Sequence, residues 1–371
     1  MSALPPPAWT GRNDGEGPGH RRWHQAVTSP QDRAAGPAGL ALVGFASDAG
    51  VARNAGRTGA GAGPDALRRA LAPLAWRGRS ANIVDLGDVV VTGDALEEGQ
   101  ERLGAAVAEQ LRAGRFVTVL GGGHETAWGS YLGVREALLD GAGPGSAPAS
   151  PPAAGTPGSR GAAPTAAAAR VSPAGGERSA GGEPATSGTR APRLGILNLD
   201  AHFDLREAER PSSGTPFRQI ARDAAARGED FTYAVVGISE PNNTPVLFET
   251  AEALGVSYRL DEDCQEADLE AVREFVRGVA AGVDALYLTI DLDVLPASVA
   301  PGVSAPAGFG VPYPVVRAAA MEAAASGKLA LLDVVELNPL YDVDSRTAKA
   351  AARLIHDVVT RRAAPASPRR S

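Results

Sequence analysis

The sequence lacks several features that define other classes of protein. Its 371 residues include one cysteine, Cys264, which excludes an intramolecular disulfide framework and favours a reducing compartment. No apolar run reaches the roughly 18 residues that a transmembrane helix needs. The N-terminus has no charged start followed by an apolar core, so no secretory signal is predicted. We therefore expect a cytoplasmic protein with no membrane partner.

Excess positive charge is also missing. The formal net charge is −7 at pH 7, and no basic patch of the kind that binds nucleic acid is visible. We expect no nucleic-acid partner.

One internal segment, residues 141–192, differs in composition from the rest. It consists almost entirely of Ala, Gly, Pro, Ser and Thr and contains no aromatic residue, Leu or Ile. Such a segment cannot bury enough apolar area to offset the entropy of ordering it. We predict a disordered insertion within a single catalytic domain over residues 39–362. A partly disordered N-terminal extension (1–38) and a disordered tail (363–371) flank that domain.

The rest of the chain alternates between short apolar runs and amphipathic patterns. The runs predict eight strands, at 40–45, 81–87, 115–120, 194–200, 231–238, 256–260, 285–291 and 329–337. The amphipathic patterns predict helices, including 63–74, 94–114, 266–282 and 345–362. This alternation predicts an α/β fold, a three-layer α/β/α sandwich with a mostly parallel sheet of roughly eight strands.

Acid and imidazole groups follow four of the predicted strands. In sheets of this class, ligands bind beyond the carboxyl ends of the strands, so these groups are expected to meet at one edge. They are His124 in "GGGHE", Asp200, His202 and Asp204 in "NLDAHFD", Asp291 and Asp293 in "IDLD", and Glu336 in "VVEL".

The spacing of these groups favours a metal site. Residues two apart in an extended chain face the same way, so each Asp-x-His-x-Asp or Asp-x-Asp set can converge on one point. Four clustered carboxylates repel one another unless a cation lies among them. Two metals suit six ligands, and a donor set without thiolate favours Mn²⁺ over Zn²⁺ or Fe²⁺. Taken singly, each motif is equally compatible with a tight turn or a helix cap.

The motifs "GGGHE", "NLDAHFDLR" and "LTIDLDVLPASVAPGVSAPAGFG" resemble the metal-binding signatures of the ureohydrolase superfamily, which includes arginases and agmatinases. The resemblance extends over about residues 39–362 without the insertion. It implies an arginase-like fold, two Mn²⁺ ions and hydrolysis of a C–N bond at an amidine or guanidine carbon.

The resemblance also implies roles for individual residues. One metal would be held by His124, Asp200, Asp204 and Asp291, and the other by Asp200, His202, Asp291 and Asp293. Asp200 and Asp291 would bridge the two ions. Asp204 would handle the proton of the nucleophile, and Glu336 would pair with the cationic head of the substrate.

Two departures from arginases and agmatinases resemble the formimidoylglutamase subfamily. Arg206 stands where those relatives usually have Asn, and Ser213 stands where they usually have a His that shuttles protons. An arginine can clamp a substrate carboxylate through two hydrogen bonds. We interpret Arg206 and Ser213 as substrate-binding, with Asn243 and Arg57 as weaker candidates. The alternative for Arg206 is an ion pair with Glu207.

The expected reaction converts N-formimidoyl-L-glutamate to L-glutamate and formamide, a step of histidine degradation. The alternatives are a ureohydrolase acting on a guanidino substrate (agmatinase, guanidinobutyrase or arginase) and a non-catalytic metal-binding homologue. A metallophosphoesterase is disfavoured, because Glu336 would repel a phosphate. We also expect a homo-oligomer.

Overall fold

Nine parallel strands form a single sheet within the part of the chain that the structure, a computed structural model, describes: residues 9–30, 39–77, 83–140 and 192–362. The strands are β1 (Val27–Thr28), β2 (Leu40–Ala46), β3 (Ile83–Val90), β4 (Phe116–Leu120), β5 (Leu194–Leu199), β6 (Thr232–Ile238), β7 (Ser257–Leu260), β8 (Ala285–Asp291) and β9 (Leu329–Val335). Their order across the sheet is β1-β3-β2-β4-β9-β8-β5-β6-β7. All eight predicted strands are present. The additional strand, β1, has two residues and lies at the sheet edge, too short to give an apolar run.

Ten α-helices connect these strands in the described ranges. They are α1 (Trp23–Ala26), α2 (Ala49–Arg53), α3 (Gly63–Leu71), α4 (Leu96–Arg112), α5 (Thr126–Arg135), α6 (Pro216–Arg227), α7 (Pro245–Ala253), α8 (Leu269–Ala281), α9 (Tyr313–Ala325) and α10 (Arg346–Arg362). The predicted helices at 63–74, 94–114, 266–282 and 345–362 correspond to α3, α4, α8 and α10. None of the described helices is long and apolar enough to cross a membrane.

Helices cover both faces of the sheet and create two hydrophobic cores. Along β2, Leu40 and Leu42 face the core formed with α3, α8, α9 and α10, whereas Ala41, Val43 and Phe45 face the core formed with α4 to α7. This period of two is the geometry of a strand that is buried on both sides. It explains why the strands read as continuous apolar runs, and it confirms the three-layer α/β/α fold.

The N-terminal segment packs against the last helix. Trp23 is fully buried, and its ring meets that of Trp76 edge to face at 5.0 Å. Ala72 O lies 3.0 Å from His24 Nδ1.

The insertion predicted at 141–192 falls, up to residue 191, outside the described residues, as do the tail 363–371 and parts of the extension 1–38. The division into extension, domain, insertion and tail therefore stays a prediction.

Close backbone packing positions the loop that follows β4. A Cβ on Gly122 would lie 1.8 Å from Ser47 O, so only glycine fits at that position. The next residue, Gly123, donates its N–H to Ser47 O at 2.9 Å. The loop is therefore held against the end of β2, and His124 emerges from it at the carboxyl edge of the sheet.

Candidate metal centre

The acid and imidazole groups come from four adjacent strands at the centre of the sheet, in the order β4, β9, β8 and β5. The carboxyl ends of these strands and the loops that follow them carry the seven residues predicted for the site: His124, Glu336, Asp291, Asp293, Asp200, His202 and Asp204. Six of them are at least nine-tenths buried, and His202 is partly exposed. The structure thus brings all seven together, as the strand-end argument predicted.

The first of two clusters surrounds the ring of His124. Its Nδ1 lies 3.1 Å from Asp200 Oδ2, 3.0 Å from Asp204 Oδ2 and 3.1 Å from Asp291 Oδ2. Nδ1 makes no hydrogen bond within the described residues, although it is completely buried. In an octahedral shell with bonds of about 2.1 Å, neighbouring ligand atoms lie about 3 Å apart. This spacing fits four ligands of one divalent cation.

The second cluster contains Asp200, His202 and Asp293. His202 Nδ1 lies 3.1 Å from Asp293 Oδ2 and 3.6 Å from Asp200 Oδ1. Asp200 therefore turns one oxygen toward each cluster, as a bridging carboxylate does. Asp291 groups with the first cluster, and its Oδ1 accepts the N–H of Asp293 at 2.8 Å. A second bridge through Asp291 stays a prediction.

The electrostatics of these clusters favour a cation. Burial, Asp293 and Asp200 raise the pKa of Asp291 well above its usual value. Burial and Asp200 likewise raise the pKa of Asp204. Burial lowers the pKa of His124, but the surrounding carboxylates outweigh it and raise that pKa well above the usual value. So many buried acids are stable in the ionised form only with positive charge among them, which two divalent metals would supply.

The local backbone brings the ligands together in a different way from the one predicted. Strand β5 ends at Leu199, so Asp200, His202 and Asp204 do not lie on extended chain. Asp204 has a φ of +49°, in the left-handed region that non-glycine residues seldom adopt. The expectation of period-two alternation was wrong here. Asp291 is also the N-cap of the short turn Leu292–Val294, so its capping and metal interpretations are compatible.

Polar side chains beneath the clusters hold the ligands in place. Thr289 Oγ1 lies 3.1 Å from His124 Nε2, which fixes the ring so that Nδ1 faces the carboxylates. Asn198 donates to Asp200 Oδ2 at 2.8 Å. Neither residue was predicted from the sequence, although each lies two positions before a predicted ligand. That spacing is the signal that identifies them.

Glu336 lies beside the first cluster. Its Oε1 accepts the N–H of His124 at 2.8 Å, and its Oε2 has no hydrogen-bond partner in the described structure despite being buried. Burial and the nearby Glu125 raise the pKa of Glu336 to about 8. Its φ of +68° lies in the left-handed region that non-glycine residues seldom adopt. An unpartnered, buried carboxylate oxygen beside a cavity is suited to a cationic ligand group.

A cavity of about 220 Å³ opens beside the clusters. Its walls carry His202 and Glu336 on the inner side and the exposed side chain of Arg206 on the outer side, together with Ser213 and Asn54. No carboxylate of the described residues forms an ion pair with Arg206. Glu207, its proposed alternative partner, binds Arg218 and Arg222 instead.

Two weaker candidates, Asn243 and Arg57, are not among the residues that line this cavity, and their role as substrate contacts stays a prediction. Asn243 donates to Ala201 O at 2.9 Å and to Ser239 O at 2.8 Å, so its amide stabilises the ligand loop. Arg57 donates from Nε to Ser304 O at 2.9 Å and covers the ring of Tyr341. Both side chains thus make hydrogen bonds within their own chain.

Comparison with known proteins agrees with this geometry. The model of the Arginase family matches residues 38–145 and 174–360. The chain is 51% identical over 359 residues to the formimidoylglutamase of Nocardia farcinica, covering 96% of this chain and 97% of the relative. It is 48% identical over 359 residues to that of Rhodococcus opacus, with 97% of each chain covered.

Solved structures share the fold at low sequence identity. The formiminoglutamase of Trypanosoma cruzi with Mn²⁺ superposes with a TM-score of 0.65 at 22% identity, covering 87% of this chain and 93% of the other. The formimidoylglutamase of Bacillus subtilis gives a TM-score of 0.67 at 18% identity, covering 90% and 89%. The family match and the full-length relatives confirm the resemblance that the three motifs indicated: the chain belongs to the arginase family.

Proposed function

We propose that this protein hydrolyses N-formimidoyl-L-glutamate to L-glutamate and formamide, cleaving an amidine C–N bond. The observation that carries the proposal is Arg206, whose guanidinium has no carboxylate partner among the described residues and lies on the wall of the cavity that contains the acid and imidazole clusters. The substrate has a cationic amidine at one end and two carboxylates at the other. The cavity has the carboxylate of Glu336 on one side and the guanidinium of Arg206 on the other. The relatives named formimidoylglutamase support the same reaction.

The proposal includes two Mn²⁺ ions held by the clusters. His124, Asp200, Asp204 and Asp291 would hold one ion, and Asp200, His202, Asp291 and Asp293 the other. Such a pair provides a hydroxide nucleophile at neutral pH and positive charge that stabilises the developing negative charge.

Glu336 would bind the amidinium head through its free Oε2. A cation beside this carboxylate favours its ionised form, against the burial that raises its pKa. The N–H of His124 already holds Oε1, so Oε2 is the oxygen left without a partner among the described residues. Glu336 thus selects a positively charged amidine and places its carbon.

Asp204 is the proposed proton carrier. Its Oδ2 lies 3.0 Å from His124 Nδ1 among the atoms of the first cluster, and the residue lines the cavity, so the carboxylate is placed to accept a proton there. It would deliver that proton to the departing amine of glutamate. Ser213, at the position where arginases usually have a shuttling His, is left to contact the substrate.

The test is an assay of the purified, Mn²⁺-loaded protein against N-formimidoyl-L-glutamate, arginine, agmatine and 4-guanidinobutyrate. We expect kcat/KM to be highest for formimidoylglutamate by at least about a hundredfold, since a guanidino substrate without two carboxylates leaves polar groups of the cavity unpaired. A guanidino compound as the best substrate would refute the proposal in favour of another ureohydrolase. No turnover of any of the four would favour a non-catalytic homologue.

A cytoplasmic location and assembly into a homo-oligomer belong to the same proposal. The first is supported by the single cysteine, Cys264, which is free and buried. Size-exclusion chromatography with light scattering tests the second.

A further inference from the structure

Asn54 lies directly after α2 and lines the cavity beside the residues proposed to bind a carboxylate. Its amide Nδ2 donates a hydrogen bond of 3.1 Å to Ser213 Oγ, across 159 residues of sequence. Neither the metal motifs nor the arginine clamp assigns this residue a role. In this hydrogen bond the Ser213 hydroxyl is the acceptor.

A serine hydroxyl has a single hydrogen to donate and two lone pairs to accept with. Because Ser213 Oγ already accepts from Asn54, its own hydrogen remains available. Within the described residues, Ser213 Oγ makes no other hydrogen bond, although the residue is 8% exposed. Asn54 therefore makes Ser213 a hydrogen-bond donor toward the cavity, which suits an anionic ligand.

Gly214 brings Arg206 close to this pair. Arg206 N donates to Gly214 O at 3.0 Å, which closes the loop between them. A Cβ on Gly214 would lie 2.8 Å from Arg206 Cδ and 3.2 Å from Asn54 Nδ2. The three side chains of Asn54, Ser213 and Arg206 thus converge over a residue that has no side chain. A carboxylate bound here can accept from the guanidinium with one oxygen and from the hydroxyl with the other.

We propose that Asn54 is a positioning residue that determines specificity: it commits the Ser213 hydroxyl to donating to the substrate carboxylate that Arg206 binds. This inference rests on the proposed function, because it explains how the same cavity selects a carboxylate-bearing amidine. Asn54 itself need not contact the substrate. Its hydrogen bond determines that the Ser213 hydroxyl donates and that the substrate carboxylate accepts.

The Asn54→Asp variant tests this directly, because it keeps the shape of the side chain and reverses the hydrogen bond. The new carboxylate would accept the Ser213 hydrogen, leaving the hydroxyl without a hydrogen to donate to the substrate. We expect KM for formimidoylglutamate to rise at least about tenfold, as for a lost hydrogen bond to a charged group. We expect kcat, Mn²⁺ affinity by calorimetry and Tm to change little. For N-methylformamidine, which has no carboxylate, kcat/KM should not change.

Asn242→Asp is the matched control. Asn242 also donates from Nδ2 to a serine, Ser239 Oγ, at 3.2 Å, but neither residue lines the cavity. This variant adds the same charge and should leave KM at the wild-type value. An equal rise in KM in both variants would overturn the proposal.

A double-mutant cycle with Ser213→Ala separates hydrogen-bond direction from simple charge repulsion. Without the hydroxyl, Asn54→Asp can act only through its charge, so its effect on KM should shrink at least about fivefold. Independent effects of the two substitutions would refute the role of Asn54. If the wild type does not hydrolyse formimidoylglutamate, the proposed function fails on its own. Calorimetric binding of L-glutamate, expected to weaken about tenfold in Asn54→Asp, then still decides the role of Asn54.

Discussion

Trp23 Nε1 donates a 3.0 Å hydrogen bond to His356 Nδ1, and this bond joins the N-terminal segment to the last helix, α10. His356 can accept it only when its ring is neutral at Nδ1. Burial lowers the pKa of His356. The Asp357 carboxylate raises that pKa, whereas the positive charges of Arg353 and Arg77 lower it further, and the net shift is downward. The neutral ring that the bond requires is therefore the favoured form near neutral pH.

We expect the free energy of unfolding to decrease as the pH is lowered below 6.5, because of this contact. The unfolded chain takes up a proton on His356 near its usual pKa of 6.5, whereas the folded protein resists protonation. The free energy of unfolding therefore includes the full contribution of His356 above pH 6.5 and loses it as the pH falls toward the lowered pKa. Urea denaturation of the wild type and of His356→Gln, each at pH 7.5 and pH 5.5, measures this contribution to the free energy of unfolding. Identical pH dependence in the two proteins would contradict the expectation.

Removal of the Thr289 hydroxyl should weaken metal binding without unfolding the protein. Thr289→Val keeps the volume of a buried strand residue but leaves His124 Nε2 without its partner. Loss of such a supporting contact typically costs about 10- to 100-fold in metal affinity. Calorimetric titration with Mn²⁺ provides the measurement. Thr118→Val is the control, because Thr118 is also a buried strand residue and its hydroxyl has no hydrogen-bond partner among the described residues. Equal affinities in the two variants would exclude the supporting role.

Arg206→Asn should raise KM for formimidoylglutamate by about 10- to 100-fold, since a charge-assisted contact with a carboxylate is lost. Arg206→Lys should recover only part of the loss, because an ammonium cannot form the two parallel hydrogen bonds. Arg222→Asn is the control, as Arg222 pairs with Glu207 away from the cavity. Steady-state kinetics measure all three. An unchanged KM in Arg206→Asn would mean that another group binds the carboxylate.

Arg53 should affect substrate binding from outside the cavity. Its side chain is 10% exposed, and it donates to Asp94, Glu97 and, at 3.0 Å, to Pro211 O in the loop that carries Arg206. In Arg53→Gln the two acids remain hydrated, so the stability loss should stay near about 1 kcal/mol. Release of the Pro211 carbonyl should raise KM several-fold.

Hydrogen exchange of residues 206–215 measures the Arg53 effect independently of activity. Exchange of these amides should quicken in Arg53→Gln. It should stay unchanged in Arg112→Gln, which removes an exposed pair with Glu136. Unaltered exchange in Arg53→Gln would show that Pro211 is held by other contacts.

Much of this molecule follows from local sequence. Buried parallel strands need apolar side chains on both faces, so runs such as "LGILNL" predict their own structure. The clustering of the acid and imidazole groups follows too, because polar groups placed directly after such strands meet at one sheet edge. Strand β1 did not follow, since two residues carry no periodicity and only the neighbouring β3 makes them a strand.

The remaining site residues depend on contacts between distant parts of the chain. Asn54 meets Ser213 across 159 residues, and Thr289 meets His124 across 165, so only the folded sheet reveals the pairs. The hydrogen bonds that Asn243 and Arg57 make within their own chain were not predicted, for the same reason. A polar side chain near a motif can bind substrate or satisfy its own backbone, and the sequence does not distinguish these outcomes.

The four strands that carry the acid and imidazole clusters lie in the middle of the sheet, whereas residues 206–215 lie outside it and make polar contacts with Arg53 at the end of α2 and with Asn54 directly after that helix. The sequence of residues 206–215 can therefore change without altering the four central strands. Substitutions in the loop or in its anchors can alter which compound is accepted and leave the hydrolytic centre intact. An engineer seeking a new amidine hydrolase from this scaffold would vary that loop and leave the strand ends untouched.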